Sequence, residues 1–322
     1  MRLSSKMILS PKSRVRPSLL VSAACLTLLL TAAAARPQGE RLRIVSLEPW
    51  FPGIEPAYLK VDVEYPMDFE RPTASLSVNG RKAAFKSLSG GFGGGWNFSS
   101  YAIAAGEPGR KTVTVTLKAG GRTLTASRTV DFRSRGGAVF LDLSNGEAVW
   151  QPPQVKVFVY FLKNLALEVN GRPAALHQAS APEFPGHAVL TVAADWRPGL
   201  NHLVVTGTDH QGQAISQKLA FYWVKDGVAR QGDAFSVFLG YMGSKSGPFY
   251  YPKVTGSALA LGESKWGEVF LLDKDGWLGK ATKLLQEVKA QAPGPEVITI
   301  LVKKHFLGGV EVDRKLNLQV LP

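Results

Sequence analysis

The side chains best suited to metal binding or proton transfer near neutral pH are the five histidines, His177, His187, His202, His210 and His305. They are scattered over turns and strands with no pair at a ligand spacing such as HxxxH or HxH, so each reads as a solvated surface residue. LDKDGW (272–277) places Asp273, Asp275 and Gly276 like positions three, five and six of a calcium loop. Leu271 and Thr282 then stand at positions one and twelve, where the ion needs carboxylates, and a plain turn is expected instead. SLSGGFGGGW (87–96) has the glycine content of a phosphate cradle, but no helix start follows it and it lacks the G-x-S-x-G nucleophile pattern. It is expected to be a flexible loop. Trp50 with Phe51, Trp96, Trp150 and the run Phe221, Tyr222, Trp223 could stack on sugar rings where exposed, although strand alternation turns some of them inward. No catalytic set assembles from these residues, and the expectation is a non-enzymatic protein with no metal and no cofactor.

The N-terminus says where the chain works. Its first 16 residues carry Arg2, Lys6, Lys12, Arg14 and Arg16 and no acid, and residues 19–35 then read LLVSAACLTLLLTAAAA. A basic flank followed by an apolar run of this length is a secretory signal peptide. Ala33 and Ala35 supply the small side chains that a signal peptidase accepts before Arg36, and an uncleaved signal anchor is the alternative. Cys25 lies too early in the apolar run for a lipid attachment site. The expected mature chain, with residues 1–35 removed, is exported to the periplasm or the cell surface and has no membrane span. It contains no cysteine, so no disulfide supports it. Its 33 basic and 25 acidic residues leave a formal charge of +8, spread along the chain and not gathered as a nucleic-acid footprint would be. Nucleic acid is therefore excluded as a partner, and a surface polysaccharide is retained as one.

An internal repeat organises the first two thirds. VNGRKAAF (78–85) returns as VNGRPAAL (169–176), 91 residues later, and Pro108-Gly109 and Pro198-Gly199 precede equivalent alternating runs. Segments 60–65, 74–80, 112–132, 154–162, 165–171, 187–194 and 219–224 alternate with period two, and Gly120-Gly121 marks a hairpin turn. Each Asn-Gly should supply positive φ between two strands. Short strands at regular spacing, with no helix among them, predict β-sandwiches.

The second copy also carries Gly199, Asn201, Leu203, Val205, Gly207 and Asp209 in the order G-x-N-x-L-x-V-x-G-x-D. In this it resembles the bacterial immunoglobulin-like domains of exported proteins. The resemblance implies two tandem Ig-like domains over 42–134 and 138–226, and such modules serve as spacers, adhesion units or carbohydrate-binding appendages.

Beyond Asp226 the pattern changes. ATKLLQEVKAQ (281–291) consists of helix formers with Ala281, Leu284, Leu285 and Val288 on one face, and Pro293-Gly294 stops it, which predicts a helix. EVITILV (296–302) and VEVDRKLNLQVL (310–321) read as strands, the first central. FLGY (238–241) and GSALALGESKWGEVFLLDKDG (256–276), with Gly256, Ser257, Gly267, Glu268, Phe270 and Gly276 at or within one position of the pattern, resemble a bacterial-type PDZ domain. Ala258, Gly262 and Ser264 depart from that pattern. The resemblance implies an α+β domain over 233–321 in which a strand and a helix hold an extended peptide. The amides of Leu239, Gly240 and Tyr241 would bind its terminal carboxylate, while Met242, Thr282 and Leu285 would line the pocket for its last side chain.

The expected fold is thus mainly β, with two tandem Ig-like β-sandwiches plus a C-terminal α+β PDZ-like domain. The expected function is a scaffold of the cell envelope that captures a peptide or protein C-terminus. The rival is an adhesion or carbohydrate-binding protein that uses the Ig-like domains, and a third reading is an accessory subunit of an exported protease.

Overall fold

The two Asn-Gly octets fold into the same device. Asn79 (φ 50°) and Gly80 (φ 77°) turn the chain, and Asn79 exchanges two bonds with Thr112: its N–H donates to the Thr112 carbonyl at 2.9 Å and its Oδ1 accepts the Thr112 N–H at 2.8 Å. Asn170 (φ 52°) and Gly171 (φ 76°) do the same with His202, at 2.8 and 3.0 Å. Asparagine tolerates the left-handed region because its short amide can bond locally, and here it locks the turn to the neighbouring strand.

These turns belong to a computed structural model that describes residues 41–50, 56–180, 184–242, 248–304 and 308–322. The expected signal peptide 1–35, Phe51 and His305 lie outside the described residues. The first module contains β1 (Arg43–Trp50), β2 (Tyr58–Pro66), β3 (Thr73–Val78), β4 (Arg81–Lys82), β5 (Phe85–Gly93), β6 (Trp96–Ile103), β7 (Gly109–Ala119) and β8 (Arg122–Phe132). They form two antiparallel sheets, ordered β1-β2-β6-β5 and β4-β3-β7-β8. Alternation builds the core: Leu59, Val61 and Val63 of β2 point inward towards Leu76, Val113, Val115 and Leu117. Two facing antiparallel sheets of short strands are the build of an immunoglobulin-like sandwich.

The second module contains β9 (Gly137–Leu141), β10 (Glu147–Val149), β11 (Lys156–Tyr160), β12 (Lys163–Val169), β13 (Arg172–Ser180), β14 (His187–Ala193), β15 (Gly199–Thr208) and β16 (Ala214–Trp223). Its core gathers Val157, Leu167, Val169, Leu203, Val205, Leu219 and Phe221. The motif residues are structural here. Asn201 is fully buried and accepts from the Asn170 amide at 3.0 Å, and Asp209 Oδ1 closes a turn by accepting the N–H groups of Gln211 and Gln213, both at 2.8 Å.

The third module contains β17 (Val228–Arg230), β18 (Ala234–Tyr241), β19 (Phe249–Val254), β20 (Leu259–Leu272), β21 (Leu278–Ala290), β22 (Gly294–Lys303) and β23 (Val310–Leu321). The expected α+β domain is therefore all-β. The segment read as a helix over 281–291 is β21, paired with β20 from Leu259 to Leu272 and with β18 from Ala234 to Tyr241. Helix propensity is a weak preference, and an eleven-residue helix is marginal alone; two flanking strands that satisfy the backbone along both edges override it. Sheet β17-β23-β22-β19 packs on β18, β20 and β21 through Val237, Leu239, Val288, Ile298, Ile300, Leu318 and Val320. Among the described residues the one helical element is a 3-10 turn at Lys225–Gly227, so none is long and apolar enough to cross a membrane.

The residues between the first and third modules do double service. β9 pairs with β11 and also meets β20 at Leu141 opposite Phe270; β10 runs parallel to β16 and also meets β18 at Glu147 opposite Ser236. All three modules meet at one aromatic cluster. Tyr58 of the first lies with ring centroids 5.3 Å from His187 of the second and 4.9 Å from Trp277 of the third, and its hydroxyl accepts the Leu278 N–H at 3.1 Å.

Two further readings change with the structure. SLSGGFGGGW is the tip of the β5–β6 hairpin and not a loose loop, because Gly94 (φ 59°) and Gly95 (φ 84°) form a two-residue turn. His187 is buried, not solvated: it is ringed by Tyr58, Phe158, Tyr160, Phe161 and Phe184, and its Nε2 lies 3.2 Å from the Ala57 carbonyl. Burial holds its imidazole down at about 4, against a backbone hydrogen bond to Ala57 that acts upward. His177, His202 and His210 are exposed. LDKDGW is a turn as expected, with Asp273 Oδ1 accepting the N–H groups of Asp275 and Trp277 at 3.0 and 2.9 Å.

Candidate functional site

Five of the six residues of the expected peptide pocket fall on two adjacent strands, β18 and β21, and Met242 directly follows β18. Gly240 stands opposite Leu284 and Tyr241 opposite Lys283, and the Met242 N–H donates to the Thr282 carbonyl at 2.8 Å. The structure brings the residues together, but in a sheet and not around a groove. Leu239 and Leu285 are core residues, 0% and 1% exposed. Gly240 is required for packing: a Cβ there would meet the Tyr250 ring at 2.1 Å. The expected carboxylate loop is thus a strand segment whose glycine makes room for an aromatic ring of β19. The Arg314 guanidinium of β23 donates to the carbonyls of Phe238 and Leu239.

Tyr241 leads to a polar cluster that the sequence did not announce. Lys283 is 2% exposed, and its Nζ lies 3.0 and 3.1 Å from the two Glu147 oxygens, 2.9 Å from the Asp142 carbonyl and 3.1 Å from Asp142 Oδ1. The Tyr241 hydroxyl donates to Asp142, and the ammonium sits 4.6 Å from the centroid of the Phe238 ring. Ser144 N–H donates to Glu147 at 2.9 Å. Burial pushes the Glu147 carboxyl up, opposed by the Lys283 charge; burial and the neighbouring Asp142 push the Tyr241 phenol up. A buried lysine beside two carboxylates and a tyrosine has the residue types of a catalytic site. Its geometry is that of a clasp: all the ammonium donors are engaged, so no lone pair is offered to a substrate, and the partners come from different modules.

One surface with unsatisfied apolar area lies on the other sheet of the third module. Cross-strand register sets Tyr251, Leu301 and Val312 in one row and Phe249, Lys303 and Val310 in the next, with Lys253, Thr299 and Lys315 below. Tyr251 is 46% exposed and Val310 and Val312 are each 56% exposed, while their neighbours Tyr250, Ile300 and Val302 face the core. The row follows from the sequence FYYPKV, which is apolar at consecutive positions and so cannot put every apolar side chain inside a strand. The aromatic residues proposed for sugar stacking are mostly elsewhere: Phe221 and Tyr222 are core, and Trp50, Trp96, Trp150 and Trp223 are half-buried.

A scan of protein families returns no match, and a search of curated proteins returns none. Among solved structures, dimeric latent PorU from Porphyromonas gingivalis aligns with a TM-score of 0.32 at 10% identity, over 87% of this chain and 34% of that one. The chain thus spans about a third of the length of PorU. A titin Ig tandem aligns with a TM-score of 0.23 at 9% identity, over 53% of this chain and 89% of that one. A three-Ig fragment of titin aligns with a TM-score of 0.20 at 8% identity, over 88% of this chain and 98% of that one. Likenesses of this size carry no argument; the sandwich assignment of the first module rests on its two sheets, while β9 to β16 close into one barrel with β18, β20 and β21.

Proposed function

We propose that the chain is an exported, non-enzymatic binding protein of the cell envelope, and that it docks a partner protein on the outer face of β19, β22 and β23. The observation that carries this is the row in which exposed Tyr251 and Val312 flank half-buried Leu301, held in register across three hydrogen-bonded strands. An aromatic ring beside branched aliphatic side chains suits a protein surface better than a sugar ring, which needs flat aromatic platforms alone. The exposed Lys253 and Lys315 border the row and favour a partner with acidic groups around an apolar centre. The capture of a protein segment, first read into a groove beside a helix, is moved to this face. Export is supported by the basic and apolar N-terminal sequence.

The test is an array of peptides of varied charge and hydrophobicity, probed with purified residues 36–322 and with the double variant Tyr251→Asp, Val312→Asp. Acidic peptides with apolar residues should bind the parent chain, and the variant should lose them by tenfold or more. Amidating the peptide C-terminus should change nothing. Equal binding by parent and variant would place recognition elsewhere.

A further inference from the structure

Every open sheet ends in edge strands whose backbone groups can pair with another chain unless something guards them. Among the described residues, β4 and β17 are two and three residues long. Edge β1 is capped by Arg128, which donates to the Ile44 and Val45 carbonyls at 3.3 and 2.9 Å. Edge β8 carries Arg122, Arg128 and Asp131, and β19 carries Pro252 and Lys253. Edge β5 differs. It runs for nine residues, FKSLSGGFG, pairs only with β6, and has a single charge, Lys86, which is tied to Asp273 of the third module. Beyond a bulge between Ser87 and Ser89, the stretch from Ser89 to Gly93 has no charge, no proline and three glycines, so its outer edge is open to an incoming strand.

We propose that β5 pairs with β5 of a second copy of this chain, antiparallel about a two-fold axis at Gly90, joining two four-stranded sheets into one of eight strands. The self-complementarity of the strand selects this occupant. In that register Ser89 faces Gly91 of the second copy, Gly90 faces itself, and Phe92 reaches the bulge at Leu88. Phe92 is 79% exposed, whereas Leu88 packs at the edge of the core, so each copy covers the other's exposed ring with an apolar neighbour. Such an exchange, in which each residue meets its counterpart twice, is what a two-fold interface demands. The uncharged strip is also where two molecules of formal charge +8 can meet without opposing like charges. A single strand pair is small for an interface, so association is weak and depends on concentration. The proposal is independent of the outer face of the third module.

Sedimentation velocity of residues 36–322 between about 5 and 500 µM should show a monomer that converts to a dimer with a dissociation constant in the micromolar range or weaker. Gly91→Lys, at a position where a Cβ has open space, should raise that constant at least tenfold with an unchanged circular dichroism spectrum and melting temperature. Mixing Gly91→Lys with Ser89→Asp should restore a heterodimer, because the register sets the two positions opposite each other. A synthetic peptide of residues 85–93 should compete. A chain that stays monomeric at the highest concentration, or a dimer indifferent to Gly91→Lys, overturns the proposal; binding of the peptide by a monomeric chain would mean that β5 takes an extended segment of another protein.

Discussion

Lys283 Nζ lies 3.0 Å from Glu147 Oε1, and the two residues come from different modules: Glu147 from β10, at the start of the second, and Lys283 from β21, in the centre of the third. A buried ion pair contributes little net stability compared with apolar side chains, but removing one partner strands the other charge. Lys283→Met should therefore destabilise the protein by about 3–5 kcal/mol in urea unfolding, and adding Glu147→Leu should recover a large part of the loss. If the single variant is as stable as the parent chain, the pair does not clasp the seam.

His187 gives the junction of the three modules a dependence on pH. Its imidazole is held at about 4 in the fold against an ordinary value of 6.5, so between those values the unfolded chain binds the proton and the folded chain does not. Stability is present above 6.5 and is lost as pH falls towards 4, by about 3 kcal/mol for a shift of this size at 1.36 kcal/mol per unit. His187→Gln should flatten that part of the stability curve. An unchanged slope in the variant would assign the acid sensitivity to other groups.

Gly240 separates two accounts of the same residue. If it serves packing, Gly240→Ala drives a methyl group into the Tyr250 ring and should cost about 1–3 kcal/mol, as overpacking does, with partial recovery in Gly240→Ala, Tyr250→Leu. If it cleared the way for a carboxylate, the melting temperature would hold and only peptide binding would fall.

Asn79 and Asn170 should behave as equivalents. Each holds a left-handed turn and accepts a strand N–H, so Asn79→Ala and Asn170→Ala should each cost about 1–3 kcal/mol by thermal unfolding. A neutral result at either position would break the equivalence that the repeat implies.

The first two modules were legible because their information is local. Period-two alternation, Asn-Gly and Gly-Gly turns and the octet repeat all act within a few residues of the chain, and strands such as β2, β3, β7, β8, β11, β12, β14 and β16 follow them, whereas the glycine-rich β5–β6 hairpin did not show. The third module was misread where local preference and tertiary pairing disagree. ATKLLQEVKAQ has the side chains of a helix, and only β18 and β20, its neighbours on either side, make it a strand. The same error hid Lys283, which a helix would have left in water. His187 was misjudged for a related reason: its burial depends on Tyr58, Phe158 and Phe184, none of which is near it in sequence except the last. The exposed row was within reach, since Phe249, Tyr250 and Tyr251 in succession cannot all face one core.

The most direct measurement is site-specific photo-crosslinking in cells that express the chain, with a benzophenone side chain placed at Lys253, at Lys315 and, as a control on the second module, at Lys218. The outer-face account predicts one discrete protein adduct from positions 253 and 315, lost on Tyr251→Asp, and none from 218. The same adduct from all three positions, or one that survives Tyr251→Asp, would contradict it.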